Sequence, residues 1–156
     1  MNTQKKLINF YENHNFSDLD KYYSWFYKKL NINYFRKWPK FLKERQVWLA
    51  YIWKNIDWEQ NWDEKNFLRP VLILKNWWVK LEHITVILLT SQEKNDYFSF
   101  KLEKNIYAFL DYDSYLLLDK VKTISRKRII WIKPLWYINK KDFEKIKQKM
   151  KKLYFE

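Results

Sequence analysis

The sequence predicts an α+β, β-rich domain, a small closed or nearly closed antiparallel sheet with helix before and after it. Three observations predict this. From Gln46 onward, short apolar or alternating runs recur with short polar connections between them. Before Gln46 and after Asn139 the pattern turns helical. Finally, 156 residues suffice for one core plus an appendage and are few for two full domains.

Residues 1–44 read as a helical N-terminal extension and residues 45–156 as the barrel domain. Ser17 with Asp20 three residues on forms a start resembling a capping box, and "LDKYYSWFYKKL" then runs without a breaker. Pro39 in "RKWPKF" stops the helix, because the residue before a proline is pushed out of the helical region. The first strands are "QVWLAYI", "RPVLIL" and "HITVILLTS", the last rich in β-branched residues. "YFSFKLEKN" alternates, with Phe98, Phe100 and Leu102 on one face and Ser99, Lys101 and Glu103 on the other, as expected of a half-buried strand. "SYLLLDKVKTI" and "RIIWIKPL" complete about six strands. Asn139 then caps a last helix with Asp142 in its first turn, and Phe143, Ile146, Met150 and Leu153 form its apolar stripe.

Composition narrows the function classes. There is no cysteine, so disulfides, thiolate nucleophiles and cysteine-based zinc sites are excluded. His14 and His83 lack any metal-ligand spacing, so no metal site and no cofactor is expected. No apolar run approaches the roughly 18 residues of a membrane span, and the first residues lack a signal-peptide core, so the reading is cytoplasmic with no membrane partner. The net charge of +13 points to a polyanionic partner. Part of the lysine excess follows from an AT-rich codon bias, but its distribution does not. Residues 120–152 carry thirteen Lys or Arg against Asp142 and Glu144, leaving a net +11 on the C-terminal third.

Glycine is absent, where about eleven would be ordinary, and ten tryptophans are present. AT bias depletes both residues under the standard code. Three of the tryptophans, Trp53, Trp58 and Trp62, sit among Asn, Asp, Glu, Gln and Lys in "WKNIDWEQNWDEKNF", where a turn ordinarily uses glycine.

The motifs make sense in sequence order. Glu59-Gln60 stand in a loop, Arg69-Pro70 opens an apolar strand, and the next strand ends in Thr90-Ser91. "SYLLLDKVKTISRKRI" follows, and a basic helix closes the chain. This order over residues 45–153 resembles the MazF/PemK family of toxin endoribonucleases. The resemblance implies an SH3-like barrel, a homodimer, a cognate antitoxin, and a metal-independent endoribonuclease acting on single-stranded RNA. Arg69 and Thr90 are its implied catalytic residues, and Glu59, Gln60, Ser91 and Lys122 its implied RNA-binding residues. Lys122 stands where the family has arginine, which retains charge but loses bidentate recognition. Thr123 and Arg128 fall to structural support. Trp58, Trp62 and Trp136, with Trp53, occupy positions where the family carries glycine, whereas Trp48 occupies an aromatic position. This placement predicts UGA codons, with glycine in the native protein at those positions.

The residue chemistry fits cleavage that uses the RNA's own 2′-hydroxyl as nucleophile. Arg69 supplies a planar cation for phosphate, and Thr90 a short hydroxyl from the adjacent strand end. Taken alone, an arginine before proline is more often a surface charge, and Glu59 and Gln60 are ordinary loop residues. A rival reading from another class is a catalytically inactive nucleic-acid-binding barrel that uses its basic C-terminal third.

Overall fold

The computed structural model describes residues 19–37, 39, 41–52, 68–77, 81–130 and 133–156. Trp53, Trp58, Glu59, Gln60 and Trp62 of the predicted substrate loop, and the Ser17 cap, lie outside them. The chain divides into two units, Met1–Arg36 and Lys37–Glu156.

In the first unit, helix α1 spans Leu19–Phe35. Trp25 and Ile32, two turns apart, share a face and are buried, while Tyr23, Phe26, Tyr27 and Tyr34 are exposed. Lys29 lies over the Trp25 ring at 5.6 Å, the contact expected four residues apart on a helix. No described helix is long and apolar enough to cross a membrane.

The second unit begins earlier than the sequence boundary at residue 45. Leu42 is buried in its core, and the Asn76 side chain donates to the Leu42 carbonyl. Strands β1 (Gln46–Tyr51), β2 (Leu68–Asn76), β3 (His83–Thr90), β4 (Ser99–Leu102), β5 (Ser114–Ser125) and β6 (Trp136–Tyr137) follow. They form one antiparallel six-stranded sheet in the order β4-β5-β3-β2-β1-β6. The sheet curls into a half-barrel. Two irregularities sharpen the curl: one on β2 between Ile73 and Lys75, the other where Ile87 faces Val121 but the next residue, Leu88, faces Leu117. An isolated bridge from Ala50 to Ile129 draws the chain after β5 back toward β1.

The sixth strand is displaced from its expected place. "RIIWIKPL" begins in a 3-10 turn at Arg126–Arg128, and its described residues give the bonds Ile130 N–H to Leu49 O and Leu135 N–H to Val47 O before β6 forms at Trp136–Tyr137. Pro134, with no N–H to give a ladder, sits just ahead of β6.

Period-two alternation divides the core between the two sheet faces. One face packs Trp48, Ala50, Val71, Ile73, Ile84, Val86, Leu88 and Leu117 together. The opposite face packs Val47, Leu72, Ile87, Leu89 and Leu116 with Phe143 and Ile146 of helix α2, which spans Lys140–Phe155. Asn139 caps α2 by accepting from the Asp142 N–H at 2.7 Å, and Met150 and Leu153 continue the buried stripe.

Arg45, just before β1, is the only described residue with positive φ, at 70°. That conformation costs a non-glycine residue roughly 1–2 kcal/mol. Three bonds offset it: Arg45 N–H to Ile73 O at 3.0 Å, Arg45 Nε to Ile138 O at 2.8 Å, and Ile138 N–H to Arg45 O at 2.8 Å. Buried Gln46 is bonded at both ends of its amide. Its Oε1 accepts from Lys43 N–H and Trp48 Nε1, and its Nε2 donates to the Tyr137 hydroxyl. The opening of β1 is thereby tied to β2 and β6, which fixes the register that places the candidate site.

Candidate active site

Arg69 and Thr90 come together through strand register. Val71 faces Leu88 across β2 and β3, and continuing the antiparallel ladder by two residues sets Arg69 opposite Thr90 on the same face. The Arg69 Nε donates to the Leu89 carbonyl at 3.1 Å, which fastens the guanidinium to the end of β3. The Thr90 Oγ1 accepts from the Gln92 N–H at 3.2 Å, closing the turn that ends the strand. Arg69 is 3% and Thr90 4% exposed, so both are held by packing as well as by bonds.

A groove of about 520 Å³ opens at the Thr90–Ser91 strand end; Arg69 is not among its lining residues. Thr90 and Ser91 line it, as do Leu68 and Pro70, which flank Arg69 in sequence. Leu49, Leu89, Phe109, Leu110 and Leu135 make it largely apolar, with Asp111, Tyr112 and Ser114 as polar points. Phe109 stacks on Trp136, with ring centroids 6.1 Å apart and planes at 20°. Trp136 itself is 45% exposed and has no left-handed backbone.

Ser91 is exposed beside Thr90. Lys122 faces Val86, four residues along β3 from Thr90, or about 13 Å of strand. It shares the face of Arg69 and Thr90 and stands toward the other end of the sheet. Thr123 faces Thr85 and is exposed. Arg128 donates from Nη1 to the Tyr51 carbonyl at 3.0 Å, and burial lowers its pKa from the usual arginine value. His83 is exposed at the start of β3, opposite Ser125. Among the described residues, no group of acidic or histidine side chains could hold a metal ion.

Sequence reasoning missed two neighbours in the Arg69–Thr90 row. Thr90 faces Tyr115 on β5, and Tyr115 faces Lys101 on β4. Alternation alone gives each strand's faces but not which residues become lateral neighbours. The aromatic groove wall at residues 109–112 lies on a connection with no periodicity to announce it.

The description "PemK-like, MazF-like toxin of type II toxin-antitoxin system" matches residues 50–154. The chain belongs to that family. Solved structures are similar in fold to this family member. The Mycobacterium tuberculosis toxin MazF-mt6 aligns with TM-score 0.53 and 18% identity, covering 70% of this chain and 96% of that one. An endoribonuclease in complex with its cognate antitoxin, from a mycobacterial species, aligns with TM-score 0.51 and 13% identity, covering 72% and 93%. A search of curated proteins gave no match. The PemK/MazF match spans the end of β1, the remaining strands and nearly all of α2, and leaves α1 outside it.

Proposed function

We propose that this PemK/MazF family member is the toxin of a toxin–antitoxin pair and cleaves single-stranded RNA without a metal ion. The observation that supports the reading is that Arg69 Nε is bonded to the carbonyl of Leu89, next to Thr90, at a strand end where Thr90 and Ser91 line a groove. In the proposed reaction a 2′-hydroxyl oxygen attacks the adjacent phosphorus and the bond to the 5′-oxygen breaks. The products are a 2′,3′-cyclic phosphate and a 5′-hydroxyl end. The Arg69 guanidinium stabilises charge on the phosphoryl oxygens, and Thr90 donates a hydrogen bond beside it. An arginine, with an ordinary pKa above about 12, is a poor general base, so its role here is electrostatic. Ser91, Lys122, Glu59 and Gln60 are proposed to bind RNA, Gln60 through base edges.

The active species is proposed to be a cytoplasmic homodimer. An acidic, partly disordered antitoxin segment suits the net charge of +13 and the run of lysines on α2. Trp53, Trp58, Trp62 and Trp136 are proposed to be UGA-encoded, with glycine in the native protein; UGG codons at those positions would end that idea. The burial of Arg69 and Thr90 favours a second reading, a nucleic-acid-binding barrel without activity.

Incubation with mixed-sequence RNA in EDTA tests the proposal. Cleavage leaving cyclic phosphate ends, lost in Arg69→Ala, is the expected result. Salt-sensitive binding without cleavage would replace the nuclease reading with the binding-only one.

A further inference from the structure

The lateral row that begins with Arg69 and Thr90 continues across the sheet. Thr90 is the register partner of Tyr115, and Tyr115 is the partner of Lys101. Since directly opposed residues project from the same face, Thr90, Tyr115 and Lys101 form one line over β3, β5 and β4, and extending the β2–β3 register by two residues adds Arg69 at its end. Three strand spacings separate its ends by about 14 Å, a span that more than one linked nucleotide covers. The burial of the row is graded. Arg69 and Thr90 are enclosed, Tyr115 is 5% exposed, and the Lys101 side chain is 49% exposed on the outermost strand.

Among the described residues, Lys101 is paired with Asp113. Its Nζ lies 2.7 Å from Asp113 Oδ2, immediately before β5, while Asp113 Oδ1 accepts from the Lys104 N–H at 2.9 Å. The hydrogen bond to Asp113 raises the Lys101 pKa and holds that of Asp113 down, so the pair is fully charged. An exposed ion pair of this kind is worth little net, so exchange of the carboxylate for another oxyanion is inexpensive. The lysines of α2 belong to the helix packed on the opposite sheet face and do not share this row.

We infer that Lys101 is a second phosphate contact for the RNA strand, flanking the Arg69–Thr90 site, with Asp113 as the internal counter-ion that phosphate replaces. The inference rests on the nuclease reading for its direction, since Arg69 marks the scissile phosphate. It makes no use of Lys122, which lies along the strands rather than across them.

The test measures binding and cleavage separately. A labelled mixed-sequence RNA with 2′-O-methyl groups throughout cannot supply the nucleophile, so its affinity reads contacts alone. Anisotropy titrations over a series of salt concentrations should show weaker binding by Lys101→Ala. The slope of log affinity against log salt should flatten by about 0.7, the value for one phosphate contact on a single strand. Lys101→Arg should restore both. Asp113→Asn, which removes the competing carboxylate, should tighten binding. Unchanged affinity and slope in Lys101→Ala would overturn the inference, as would failure of the parent protein to bind the RNA; unchanged or weaker binding by Asp113→Asn would overturn the counter-ion exchange. Cleavage of unmodified RNA by the parent and by Arg69→Ala reports on the nuclease reading independently, so each idea can fail without the other.

Discussion

Two arginines are buried at opposite ends of β3, and their surroundings differ. Arg69 is fastened to the Leu89 carbonyl near the end of the strand, and Arg126 follows Ser125, which faces His83 where the strand begins. Arg126 is 0% exposed and gives its Nη2 to the Asn76 side-chain oxygen and, at 2.9 Å, to the Trp77 carbonyl. Its own N–H reaches Glu82 O at 2.8 Å, and burial lowers its pKa from the usual value. Arg126 therefore ties the β2 end and the chain before β3 to the end of β5. Arg69 instead donates Nε to a strand-end carbonyl and is flanked by Leu68 and Pro70, which line a groove. A buried guanidinium is thus not a sign of function in itself. A groove at the strand end, lined by Thr90 and Ser91 next to the Arg69-bound Leu89 carbonyl, distinguishes the Arg69 end.

The largest expected effect tests that distinction directly. Arg69→Ala should lower RNA cleavage about 10²–10³-fold, the usual cost of removing a preorganised charge-stabilising donor. Arg126→Met should leave cleavage per folded molecule within a few-fold of the parent. Equal losses from both substitutions, with folded protein confirmed by circular dichroism, would erase the difference between the two ends. A smaller effect is expected at the hydroxyl. Thr90→Val should slow cleavage about 10- to 100-fold, as for a hydrogen bond to a charged group, and Thr90→Ser should recover most of it. Failure of Ser to recover would assign Thr90 to packing and to its bond from Gln92 N–H.

The Arg126 end should respond in stability. Arg126→Met leaves the Asn76 and Trp77 oxygens without this donor, at about 1–3 kcal/mol each, offset by removal of a poorly solvated charge. Thermal unfolding should fall by about 3–10 °C. A rise in melting temperature would mean that desolvation of Arg126 outweighs its bonds.

Legibility in the sequence differed between these ends for physical reasons. Helix signals survived well, with the Asn139 cap at Asp142 and the stripe through Phe143 and Ile146 following from the helix period, whereas the alternation of "YFSFKLEKN" held only in part: Ser99 is buried at 6% and Phe98 is 50% exposed. The Arg-Pro and Thr-Ser strand ends could be marked because they lie in recognisable local patterns. Lateral relations were not readable. The Arg126 clamp joins residues fifty apart, and the Tyr115–Lys101 continuation depends on the register of β5 between two strands. Among the described residues, β6 forms at Trp136–Tyr137, after the apolar run, because such a run does not disclose which of its backbone groups will meet β1.

The smallest expected effect comes from a third polar cluster, which joins α2 to the sheet unit and allows a pH test of purely structural bonding. The Tyr107 hydroxyl donates to Asp142 Oδ2 at 2.7 Å, and Asn139 donates to the Tyr107 oxygen at 2.8 Å. Burial, followed by the bond to Asp142, pushes the Tyr107 pKa up. Burial also pushes Asp142 up, but bonds from Tyr107, Asn139 and Lys145 together outweigh it and hold its pKa below the usual carboxylate value. A lowered acid pKa contributes stability that is present above the ordinary value near about 3.9 and is lost as pH falls through the folded one. A raised tyrosine pKa contributes stability that is complete below about 10 and declines as pH rises beyond it. Melting temperature should therefore sag at both extremes, and Tyr107→Phe should lessen the alkaline decline, to which Tyr154 also contributes, and weaken the acid one. Cleavage at neutral pH should be unchanged in that variant, as in Arg126→Met. If Tyr107→Phe instead slowed cleavage without lowering stability, the polar bonds of the fold and those of the active site would not be separable, and the contrast between Arg69 and Arg126 would lose its basis.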